Sequence, residues 1–153
     1  MALHAQASCP ANAFTMVNEA INEAGSPRRL ALVRVYGHGA PGSQNVSAGQ
    51  AALDKHVTSL DPVSFQWALP LLIRLRPFFA PWGSMELHGC HVGHGKEGKW
   101  LLQTVADAVQ VPVTAALWFQ EAGRGQWTFD GPTVSTFPYG ESLIGWSDAA
   151  SKR

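Results

Sequence analysis

Apolar positions recur at two periods along this chain, and the switching between them outlines the fold. In "NAFTMVNEAINEAG" (Asn12–Gly25), Phe14, Val17, Ala20 and Ile21 fall at helical spacing, and Gly25 is placed to end the helix. Leu30–Tyr36 is a nearly continuous apolar and β-branched run broken by Arg34, which reads as a buried strand stopping at Gly37. "APGSQNVSAGQ" has loop composition. Asp61 and Pro62 predict the cap and first turn of a helix in "LDPVSFQWALPLLIRLRPFF", which Pro70 is expected to kink or divide. Met85–Gly89 reads as a second short strand ending at a glycine. In "GKEGKWLLQTVADAVQ", Trp100, Leu101, Val105, Ala108 and Val109 share one face of an amphipathic helix. Val113–Leu117 is a third strand. Trp127, Phe129 and Val134 alternate around Asp130-Gly131, which predicts a β-hairpin.

Strands separated by helices imply an α/β fold with a mainly parallel sheet joined by right-handed crossovers. Ligands of such sheets bind beyond the carboxyl ends of the strands. "YGHG" and "HGC" both stand at that end of their strands, so the topology predicts His38 and Cys90 on one rim.

Charge and composition narrow the classes. The chain has 153 residues, 46% hydrophobic and 14% charged, enough for one domain, residues 1–153, with a sizeable core. Eleven basic and eleven acidic side chains cancel, and no basic stripe offers a nucleic-acid footprint. Two cysteines, Cys9 and Cys90, make no disulfide scaffold. The N-terminus lacks the features of a secretory signal. "WALPLLIRL" is too short for a membrane span and carries Arg74. The expectation is a cytoplasmic protein without a membrane partner, with specialised secretion left open.

The stretch "MELHGCHVGHG" gathers Cys90 with His88, His91 and His94. A zinc site would draw on those four residues, but no second Cys/His pair stands elsewhere to complete the usual spacing. A buried Cys at a strand end is also compatible with ordinary core packing. The third reading is catalytic. Cys90 supplies a thiolate nucleophile, His38 a general base and acid, and the backbone N–H groups of Gly39 and Cys90 an oxyanion site. His91 and His94 are expected at the surface and His88 beside or under the site, with His56 and Cys9 left without a role.

His38 and Cys90 stand 52 positions apart, close to the roughly 50 between the corresponding residues of caspases. With His-Gly after one strand and Cys after the next, the chain resembles the caspase-like cysteine peptidases: caspases, metacaspases, legumain, clostripain, gingipains and separase. "VYGHGAPG", "MELHGCHVGHGKEGKWLLQTVADAVQVPVTAA" and "GQWTF" are more closely similar to a bacterial family of caspase-like domains often placed at the N-terminus of large surface proteins. That likeness spans about residues 30 to 130. It departs from the family pattern at Tyr36-Gly37, at His88 and at Ala116. The resemblance implies a three-layer sandwich and a cysteine endopeptidase acting on protein or peptide substrates through a His38/Cys90 dyad, without metal or cofactor. A catalytically inactive binding module of the same fold is the alternative it leaves open. Substrate contacts would fall on Thr114, Ala115, Ala116, Trp118 and Glu121. Glu121 and Asp130 offer carboxylates to a basic P1 side chain and Arg124 a guanidinium to an acidic one, so the sign of the preference stays open.

Overall fold

The computed structural model describes residues 12–46, 57–121 and 128–153, together with the backbone of 3–6. The expectations for Cys9, His56, Arg124 and Trp127 lie outside these residues. The central sheet contains strands β1 (Leu3–Gln6), β2 (Leu30–Val35), β6 (Phe79–Leu87), β7 (Val113–Ala116) and β8 (Thr133–Thr136), side by side in that order. The first four are parallel, and β8 joins β7 antiparallel. A small antiparallel sheet of β3 (Gly39–Ala40), β4 (Ser43–Asn45) and β5 (Ser59–Leu60) follows β2.

The parallel strands lie in chain order, so successive right-handed crossovers carry helices α1 (Ala13–Ala24), α2 (Phe65–Ile73) and α3 (Gly95–Val109) onto the same face. There α1 packs on α2 and α2 on α3. Val33, Val35, Met85, Leu87, Val113 and Ala115 point into this layer and are buried. The alternate positions Arg34, Glu86 and Thr114 stand abreast on the other face, as the registers Arg34↔Glu86 and Glu86↔Thr114 require. A fourth helix, α4 (Leu143–Ser151), contacts β6 and anchors itself through buried Trp146. No helix among the described residues is long and apolar enough to cross a membrane.

Local chemistry accounts for most boundaries. Asn12 Oδ1 accepts the Thr15 N–H at 2.9 Å to open α1, and Gly25 closes it with φ 68°. The Asp61 carboxylate accepts the Val63 and Ser64 N–H groups, both at 2.9 Å, and so caps a turn leading into α2. Pro70 does not divide α2, which runs through it to Ile73. Pro70 and Gln66 are both exposed, so the carbonyl freed by the missing N–H faces water. Of the hairpin expected around Asp130-Gly131, only Thr133–Thr136 is a strand among the described residues, and it pairs with β7 rather than across that turn.

Gly98 of α3 meets the loop after Cys90 head on. A Cβ there would run into the backbone carbonyl of Gly93 and stand 2.8 Å from Gly93 Cα. Helix propensity alone would make Gly98→Ala stabilising by about 1 kcal/mol. The clash reverses that sign, and we expect a loss of about 1–3 kcal/mol in urea unfolding. Unchanged or raised stability would show that this contact is loose.

Candidate active site

The exits of β2 and β6 meet backbone to backbone. A Cβ on Gly39 would lie 2.8 Å from Cys90 O and 2.8 Å from Gly89 C, and one on Gly89 would lie 2.8 Å from Gly39 Cα. No side chain fits at either position, so His38-Gly39 and Gly89-Cys90 sit in direct contact. Gln44 of β4, fully buried, fixes the approach. Its Oε1 accepts the Gly89 N–H at 2.8 Å, and its Nε2 donates to Asn45 O at 2.8 Å. Asn45 N–H in turn donates to His38 O at 2.8 Å. That bond makes Gly39 opposite Gln44 the non-bonded pair of the β3–β4 ladder, which leaves the Gly39 N–H outside it. The Cys90 N–H has no acceptor among the described residues.

Cys90 is half-buried and His38 exposed. The sulfur makes no hydrogen bond to His38. Instead it accepts the Gln120 N–H at 3.2 Å and faces Gln120 O at 3.5 Å. Gln120 is itself clamped: its Oε1 accepts the Asp130 N–H at 2.8 Å, and its Nε2 donates to Asp130 O at 2.7 Å. The Asp130 carboxylate accepts the Glu121 N–H at 2.9 Å. Trp118 and Phe119, 60% and 64% exposed, form an apolar shoulder beside the thiol.

The remaining residues named from the sequence separate. Thr114 bonds Ser135 across β7 and β8 at 2.6 Å, and Ala115 and Ala116 have no exposed surface. Neither alanine offers a wall to a ligand. Glu121 is exposed. His91 is not simply solvated: it turns the chain with φ 57°, donates its N–H to Trp118 O at 2.9 Å and places Nδ1 3.3 Å from Leu117 O. His94 is exposed. Among the described residues, no three of His, Cys, Asp and Glu converge so as to hold a metal ion.

His88 lies under the site. Its ring stacks on Phe129 at 4.0 Å and packs against Tyr36 at 4.8 Å. Nε2 is 2.7 Å from Glu86 Oε2, which also accepts Arg34 Nε–H at 3.1 Å. Burial pushes the Glu86 carboxyl up, but the hydrogen bonds and charges of His88 and Arg34 outweigh it and hold it below its usual range. Burial dominates at Tyr36 and raises its phenol, with Arg34 opposing and Glu86 adding. Gln44, Gln120 and Asp130, which position the rim, carry no sequence motif.

No protein-family model matches the chain, and no curated protein or solved structure is detectably similar to it.

A carboxyl depressed in the folded state contributes stability that is full above its unfolded value, about 4.5, and is lost as pH falls through the folded one. Wild type should therefore exceed Glu86→Gln in stability at neutral pH. The gap should narrow as the pH drops below about 4.5. Urea midpoints of both proteins across that range check this, and a gap that widens on acidification would contradict it.

Proposed function

We propose that the protein is a cysteine endopeptidase of the caspase-like kind, with Cys90 as nucleophile and His38 as general base and acid. The observation that carries this reading is the contact of Gly39 with Gly89 and Cys90, which brings two chemically complementary groups to one rim of a parallel sheet. The finer fold that goes with it is a caspase-like three-layer sandwich. The protein would work in the cytoplasm on protein or peptide substrates.

The chemistry follows from the groups present. His38 takes the thiol proton, and the Cys90 thiolate attacks the scissile carbonyl carbon. The N–H groups of Gly39 and Cys90 receive the oxyanion. Collapse of the tetrahedral intermediate expels the amine, which takes its proton from the His38 imidazolium, and leaves a thioacyl enzyme. Water, deprotonated by His38, then hydrolyses the thioester and frees the sulfur. An exposed His38 has room to swing onto the sulfur when substrate binds, as catalytic hydrogen bonds often tighten only in the complex. The Gln120 N–H already donates to the sulfur, and its carbonyl has to yield to the incoming peptide. Trp118 and Phe119 offer the apolar surface for flanking residues, and Glu121 and Asp130 the carboxylates for a basic P1.

A second reading, a non-catalytic binding module of the same fold, draws on one observation: the thiol is bonded to Gln120 rather than to His38.

Cleavage of peptides with Lys or Arg at P1 tests the proposal. Cys90→Ala and His38→Ala should each abolish turnover, and the double variant should be no worse than either, because nucleophile and base act as a unit. His94→Ala should retain activity. Turnover that survives Cys90→Ala contradicts the proposal. Absence of both turnover and Cys90 labelling by acyloxymethylketone probes of varied P1 supports the binding module.

A further inference from the structure

At the opposite end of the strands, where β2, β6 and β7 begin, lies a cavity of ≈ 180 Å³. Arg28, Arg76 and Arg153 line it with Gln110, over apolar walls that include Phe79 and Val111. The chain has seven arginines and equal numbers of acidic and basic side chains, yet three arginines and no Asp or Glu side chain among the described residues line this one space. We propose that it is an anion site, built for a small ligand of the phosphate class.

Each guanidinium is held while keeping N–H donors unspent. Arg28 Nη2 donates to Arg153 O at 3.1 Å, and the Arg28 backbone N–H donates to Pro77 O at 3.0 Å. Arg76 caps the end of α3, with Nε 2.6 Å from Ala108 O and Nη2 3.3 Å from Asp107 O. The Arg153 guanidinium lies 4.5 Å from the Trp146 ring centre. Planar guanidiniums suit the oxygens of phosphate, and an anion between them relieves their mutual repulsion.

The backbone adds an independent observation. Among the described residues, four that are not glycine have left-handed φ: Arg28, His91, Gln110 and Tyr139. Arg28 (φ 63°) and Gln110 (φ 59°) both line this cavity, and Gln110 Nε2 donates to the Tyr139 hydroxyl at 2.9 Å. Glycine would take either position without strain. Gln110 takes its φ as the C-cap of α3, whereas Arg28 holds a strained backbone outside any helix end, the kind of local strain found at functional sites. The volume falls below the ~300–1,000 Å³ of sites for drug-sized ligands, so the ligand is an inorganic anion or the phosphate end of a larger molecule.

The site is independent of the Cys90 reading. Its test is a thermal-unfolding titration of the full chain with inorganic phosphate, against chloride at matched ionic strength. Phosphate should raise Tm saturably, by about 5–10 °C at one hundred times its Kd, and chloride should not. Arg28→Gly removes one guanidinium and the strain together. Tm without phosphate should hold or rise, and the apparent Kd should weaken at least about tenfold. Arg153→Gln, at an exposed side chain, should weaken phosphate equally without unfolding the protein. No saturable response in the wild type overturns the proposal, and so does a response unchanged in either variant.

Discussion

The buried amide of Gln44 ties the exits of β2 and β6 together, and the arrangement of the rim depends on it. Its oxygen satisfies the buried Gly89 N–H, and its nitrogen donates to the Asn45 carbonyl. Because Gly39 and Gly89 lack side chains, the two exits close to van der Waals contact. Cys90 and His38, each next in the chain to one of these glycines, thereby stand at adjoining backbone positions on the rim.

The other constraints converge on the same rim. His91 turns back immediately after Cys90 and bonds the loop after β7 at Trp118, and Gly93 bonds the end of β7 at Ala116. The Gln120–Asp130 clamp holds the loop after β7 against the sulfur. Beneath, Arg34, Glu86 and His88 make a connected polar layer on the face opposite the helices, roofed by Phe129. The sulfur itself is held by Gln120, whose side chain is fixed on both of its polar atoms by Asp130.

The three central parallel strands were legible because alternate residues such as Val33, Val35, Met85 and Leu87 must be apolar to sit under the helices. Helices α1 and α3 announced themselves by period and by Gly25. The start of β6 did not: the strand expected from Met85 begins at Phe79 and runs through Pro81 and Gly83. In the structure the register to β2 jumps from Leu30↔Phe79 to Leu32↔Ser84, so both residues fall in an irregularity that spares the ladder a missing N–H. The stretch beginning at Ala40 read as loop, whereas Pro41-Gly42 turns β3 into β4, with φ 72° at Gly42 as a type II turn demands. α4 contains Gly145, Ser147 and Asp148, poor helix formers, and is held by packing of Trp146 rather than by propensity. At the site, spacing placed His38 and Cys90 on one rim. Gln44, Gln120 and Asp130 act through tertiary hydrogen bonds that no local pattern encodes.

The central claim is that His38 and Cys90 work as a coupled pair. The direct measurement is the rate of Cys90 alkylation by iodoacetamide at neutral pH, followed by peptide mass spectrometry in a Cys9→Ser background. The account predicts that His38→Ala slows this rate at least about tenfold while far-ultraviolet circular dichroism is unchanged, since His38 is the base that takes the thiol proton as the sulfur attacks. An identical rate with and without His38 would contradict it.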